Sequence, residues 1–154
     1  MQWIPGIITP GQGVASGKNE IDGGIRGTIR AQKRFFRQAG IDTDSLYDGT
    51  INVDISPLEY QPIKSSLTLR NVQWHPTWAP ETFSLFACRL EFRGWTYDGF
   101  LYYPHPETKP VRFPGHHIAE IWTKYVDGVA YGHQVRLGIL TDLLILHGAS
   151  SNSF

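Results

Sequence analysis

The chain has 154 residues, 41% of them hydrophobic and 18% charged, which suits one soluble globular domain with a real core. Its 14 Lys and Arg balance 14 Asp and Glu, so there is no general electrostatic attraction for nucleic acid or an anionic membrane, and any anion site has to be local. The one cysteine, Cys88, excludes an internal disulfide and a multi-cysteine metal site, and no apolar run approaches the roughly 20 residues that cross a bilayer.

The opening Met1-Gln-Trp-Ile-Pro has neither a basic n-region nor an apolar h-region, which makes the cytoplasm the expected location. Sixteen Gly, ten Pro and 13% aromatics point to many turns and short strands, hence a β-rich fold. A short strand is predicted near residues 3–9. After it, Gly11, Gln12, Gly13, Val14, Ala15 and Ser16 form a glycine-rich loop whose N–H groups can come close to a ligand as an anion nest. Such loops are more often plain turns, and this one lacks the Lys-Ser/Thr ending of a P-loop. Residues 19–27, with Gly23, Gly24 and Gly27, extend it as a segment able to order over a ligand.

Residues 28–39 are the clearest helix, with Thr28 as N-cap and Gly40 as the left-handed stop. Ile29, Phe36 and Ala39, with Phe35 beside them, make an apolar side. Arg30, Lys33, Arg34 and Arg37 make a basic stripe, which is either a solvated face or an edge facing phosphate, including an RNA backbone. Asp48-Gly49 then reads as a tight turn into a strand in which Ile51, Val53 and Ile55 alternate with Asn52 and Asp54. The apolar side packs inward. The other side projects the oxygens of Thr50, Asn52 and Asp54 together, either as a solvated polar face or as donors to Mg²⁺ bridging to a phosphate.

Residues 56–66 read as a proline-punctuated connection, 67–74 as a strand and 75–80 as a rigid aromatic loop. Residues 83–92 form a strand, Arg93-Gly94 a turn, and 95–103 a strand interrupted at Asp98-Gly99. A loop covers 104–110. Residues 116–122 alternate again, with Ile118, Glu120 and Trp122 on one side, which leaves Glu120 evenly poised between a partly buried carboxylate and a plain solvent-facing charge. Residues 134–146 supply a last strand or strand pair, and 149–154 a small, polar tail expected to be disordered, so the folded domain is 1–148. The six histidines include the pair His116-His117, but neighbours on a strand point to opposite faces and no helical His-x-x-x-His occurs, which argues against zinc. The aromatics, among them Trp74, Trp122 and Tyr102, belong mostly to the core of a small barrel, with stacking on a flat ring as the alternative.

The glycine loop that begins at Gly6, the helix Gln32-Lys-Arg-Phe-Phe-Arg-Gln-Ala-Gly, the run Asp48-Gly-Thr-Ile-Asn-Val, the Tyr97-Asp-Gly-Phe-Leu-Tyr-Tyr-Pro segment and His117-Ile-Ala-Glu-Ile together resemble the archaeal CTP-dependent riboflavin kinases, over roughly residues 6–139. The resemblance implies a compact, mainly β, six-stranded cradle-loop barrel with one inserted helix. It implies CTP phosphates at Gly11, Gln12, Gly13, Val14, Ala15 and Ser16, Mg²⁺ held by Thr50 and Asn52, and Glu120 near the riboflavin hydroxyl that is phosphorylated. Nucleoside triphosphate and small-molecule acceptor would then be the partners, with no membrane or nucleic acid, and the chain would act as a monomer. There are departures. The family's Thr ahead of the acidic strand has no match beside Pro114-Gly115, and His133 stands where an Asp is expected. The alternative reading is a non-catalytic barrel that binds a nucleotide, a sugar or a protein segment.

Overall fold

A computed structural model describes residues 1–10, 20–21, 25–26, 28–108 and 115–148. In chain order these form β1 (Gln2–Thr9), β2 (Glu20–Ile21), β3 (Ile25–Arg26), α1 (Thr28–Gln38), a 3-10 turn (Thr43–Ser45), β4 (Ile51–Asp54), β5 (Leu58–Pro62), β6 (Leu67–Val72), β7 (Glu81–Phe92), β8 (Trp95–Pro104), β9 (Ile118–Thr123), β10 (Gln134–Ile139) and β11 (Leu144–Gly148). Six of the strands follow one another in the order β10-β1-β4-β9-β8-β7, and β7 pairs again with β10. The result is a closed antiparallel six-stranded barrel with no free edge within the ring. β6 adds to β7 outside the ring, β5 pairs with β11, and β2 with β3.

Period-two alternation explains how the walls build two cores. Inward residues Val53, Ile55, Phe86, Cys88, Leu90, Leu101, Ala119 and Ile121 fill the barrel. On the opposite side of the same strands, Phe83, Leu85, Tyr102 and Trp122 meet Ile29 and Phe36 of α1. Phe36 sits 5.1 Å from Trp122 and 6.1 Å from Phe83, ring to ring, so the helix is held against the outer wall by aromatic packing. Gln32, also on that face, is buried and accepts the Tyr102 hydroxyl at 2.8 Å. The helix ends where Gly40 takes φ 102°. The Gly40 N–H donates to the Arg37 carbonyl and the Ile41 N–H to that of Phe36, the paired bonds of a Schellman cap.

Several expectations need correction. Gly49 does not adopt positive φ, so Asp48-Gly49 is a bend and not a tight turn, and β4 finds its partners in β1 and β9. Asp98-Gly99 does not interrupt β8: Gly99 pairs with both Cys88 and Thr123, and a Cβ there would lie 2.6 Å from the Trp122 carbonyl oxygen. Residues 56–66 are not merely a connection, since they contain β5. Ala39 is exposed. The Arg93-Gly94 turn has φ 52° and 80°, the left-handed pair of a two-residue hairpin loop between Phe92 and Trp95. Among the described residues no helix is long and apolar enough to cross a membrane.

Candidate functional site

β4 carries the site. Its register with β1 and β9 sets Thr9, Asn52 and Glu120 side by side, and the next pairing sets Glu120 opposite Tyr102 of β8. This polar row runs across the outer wall. Where β1 and β9 end and β4 begins, a cleft of about 410 Å³ opens, lined by Pro10, Thr50, Asn52, Lys124, Tyr125 and Tyr131 among others.

Thr50 and Asn52 both line this cleft, as their two-residue spacing predicts, but neither belongs to a solvated face: they are 7% and 8% exposed. The Asn52 amide nitrogen donates to the Pro10 carbonyl at 3.2 Å, so its oxygen is the atom left for a ligand. Thr50 Oγ1 is the one buried side-chain oxygen or nitrogen among the described residues that has no hydrogen-bond partner. Leaving a buried hydroxyl unpaired costs about 1–3 kcal/mol, so such an atom calls for a ligand or a role. Asp54 does not join them. Its Oδ1 accepts the Ser56 N–H at 2.9 Å, just past the end of the strand. Burial works against its charge, but the Ser56 hydrogen bonds and the charge of His117 outweigh that and hold the carboxyl below its ordinary value.

The approach to Thr50 is fastened from three sides. Lys33 Nζ lies 2.7 Å from the Leu46 carbonyl oxygen and 2.7 Å from the Asp48 carboxylate. The Tyr47 N–H donates to the Thr123 carbonyl and the Trp122 indole N–H to that of Tyr47, both at 2.9 Å. The far wall, residues 124–131, is tied to β1 by the Gly132 N–H to the Ile8 carbonyl and the Ile8 N–H to that of His133. The Ala130 N–H donates to His133 Nδ1 at 3.1 Å, so His133 braces this wall from inside its own turn. The basic stripe on α1 is partly used within the fold, since Lys33 holds this loop and Arg37 reaches Thr43 and Asp44.

Glu120 is half-buried and lies one strand from Asn52, outside the described cleft lining. Its charge reaches Tyr60: burial first, and that charge behind it, push the Tyr60 phenol well above its ordinary value. Gly11, Gln12, Gly13, Val14, Ala15 and Ser16 lie outside the described residues, as does the tail 149–154. The segment they belong to departs from Pro10, beside Asn52. Sequence reasoning missed Tyr47, Lys124, Tyr125 and Tyr131. The available signal was a pair of tyrosines spaced around the turn glycines Gly128 and Gly132, directly after the Glu120 strand. Among the described residues, no three His, Cys, Asp or Glu side chains converge as a metal cluster.

Two neutral oxygens suit a hard cation only if the remaining positions are filled by water and phosphate, the usual arrangement for Mg²⁺ brought in with a nucleotide. Thr50 and Asn52 fit that role, Thr50 through an oxygen that has no other partner. The sequence matches no protein-family model and no curated protein.

Proposed function

We propose that this barrel is a small-molecule kinase that transfers a phosphoryl group from a nucleoside triphosphate to an alcohol, with CTP and riboflavin as the pair to test first. The observation that carries the reading is the buried, unpartnered Thr50 hydroxyl beside Asn52, in the floor of a cleft from whose edge the glycine-rich segment departs. Phosphoryl transfer asks a protein mainly for positioning and charge neutralisation, which a nest of N–H groups, a metal and one carboxylate supply. Thr50 and Asn52 would hold Mg²⁺, which when bound neutralises charge on the phosphates. Lys124 also lines the cleft, but its ammonium lies over the Tyr97 ring, 5.5 Å from the centroid, so it is not counted among the phosphate-binding groups. Glu120, opposite Asn52, orients the acceptor hydroxyl and takes its proton as the oxygen bonds to the γ-phosphorus and the bond from that phosphorus to the departing nucleoside diphosphate breaks.

The test is product formation from Mg·CTP and riboflavin, read as FMN by chromatography, with ATP, GTP and UTP as alternative donors. Glu120→Gln should keep Mg-dependent nucleotide binding and lose turnover by about 100-fold or more, the usual scale for a general base. Binding by the wild type without turnover on any alcohol would leave the non-catalytic barrel as the reading.

A further inference from the structure

Three tyrosines stand at the mouth of the cleft with large exposed surfaces, Tyr47 at 48%, Tyr125 at 63% and Tyr131 at 50%. Tyr47 and Tyr125 belong to different walls, yet their rings lie 5.5 Å apart at 55°. Tyr47 is fixed by its backbone, through bonds to Thr123 and Trp122, so its ring is held out as a platform without being part of the packing. Deeper in, the polar side chains already have tasks. Thr123 Oγ1 donates to the Asp98 carbonyl at 2.7 Å, and Thr50 and Asn52, which line the cleft, are the pair assigned above to the metal. Among the described lining residues there is no carboxylate, no guanidinium and no carboxamide besides Asn52.

Resting on the phosphotransfer reading, we infer that the base of the donor nucleotide is held by stacking on Tyr47 and Tyr125, so that the cleft selects a flat ring joined to a polyphosphate without selecting which base. Every nucleobase has a π face, and stacking on an aromatic side chain is tolerant of base identity. Discrimination between bases needs donors and acceptors matched to their edges, and among the described side chains not already assigned the cleft offers three phenols, the Thr9 hydroxyl and Lys124, whose ammonium lies over the Tyr97 ring. The donor is therefore not restricted to a pyrimidine.

The experiment is calorimetric titration of the full chain with ATP, CTP, GTP, UTP and inorganic tripolyphosphate, each with Mg²⁺. The four nucleotides should bind within about fivefold of one another and tripolyphosphate about tenfold or more weaker, the scale of one stacked base. The double variant Tyr47→Ala/Tyr125→Ala should bring the nucleotides down to the tripolyphosphate level, while Tyr47→Phe/Tyr125→Phe keeps their advantage. Both positions are exposed, so the variants should melt with the wild type. A preference for one nucleotide above about 30-fold, or an alanine variant that keeps the nucleotide advantage, overturns the inference. Tripolyphosphate binding as tightly as the nucleotides also overturns it and leaves the Thr50 and Asn52 reading standing. Nucleotide binding that needs the tyrosines but ignores Mg²⁺ supports the platform and sinks the phosphotransfer reading, and no binding by any of the five sinks both.

Discussion

Asp54 illustrates what a single residue's surroundings decide. Sequence spacing places it with Thr50 and Asn52, yet the strand ends at Asp54, and its carboxylate turns to the Ser56 N–H. Periodicity fixes which side of a strand a residue takes. It does not foresee a local backbone donor two residues on. Because the folded carboxyl sits below its ordinary value of 3.8, its contribution to stability is complete above that value and is lost as pH falls through the lowered one. Asp54→Asn should therefore lower stability near neutral pH and flatten the acid limb, read by urea denaturation between pH 7 and the acid range. An unchanged acid limb in the variant would refute the assignment. Cys88 is a buried thiol: burial first, with the Asp98 charge behind it, pushes it up to about 12, which keeps it protonated and unreactive. Gln32 was not legible. It reads as one more polar position on the helix until the fold brings Tyr102, seventy residues away in sequence, to its amide oxygen.

At the level of elements, α1, β1, β4, β7 and β9 were legible to within a few residues because each has a clear period and a stop signal. β5 was not. Pro57 and Pro62 disguise it, but Pro62 is the last residue of the strand, and among the described strands it pairs with β11 alone, where missing amide donors are tolerated. Asp98-Gly99 misled in the opposite direction, since the same dipeptide that marks a turn also occurs where two backbones must come close. Between Cys88 and Thr123, Gly99 lets β9 approach β8, and any Cβ there meets the Trp122 carbonyl. Gly99→Ala should cost about 1–3 kcal/mol, the scale of overpacking, measured as a shift in the denaturation midpoint. A neutral effect would mean that β8 and β9 can part without loss.

On the scale of the whole molecule, closure comes from β10 pairing with both β1 and β7, contacts between segments that no local pattern links. The resemblance of ordered motifs supplied the six-stranded barrel where periodicity alone stopped at a β-rich chain. The fold explains why Thr50 and Asn52 reach one cleft: the barrel brings the ends of β1 and β9 and the start of β4 to one mouth, so residues distant in sequence wall the same cleft. The tyrosines of that mouth were missed because their shared position depends on the same closure. A ligand bound there and absent from the unfolded chain must raise the melting temperature by mass action. The most direct measurement is thermal unfolding of the wild type and Thr50→Val, each with and without Mg²⁺ and nucleotide. Val replaces an unpartnered buried hydroxyl with a methyl group of similar size, so the unliganded variant should be as stable as the wild type or about 1 kcal/mol more stable, and its Mg-dependent nucleotide shift should disappear. A variant that keeps the shift, or one that melts well below the wild type without ligand, would contradict the account, because Thr50 would then serve the fold and not the ligand.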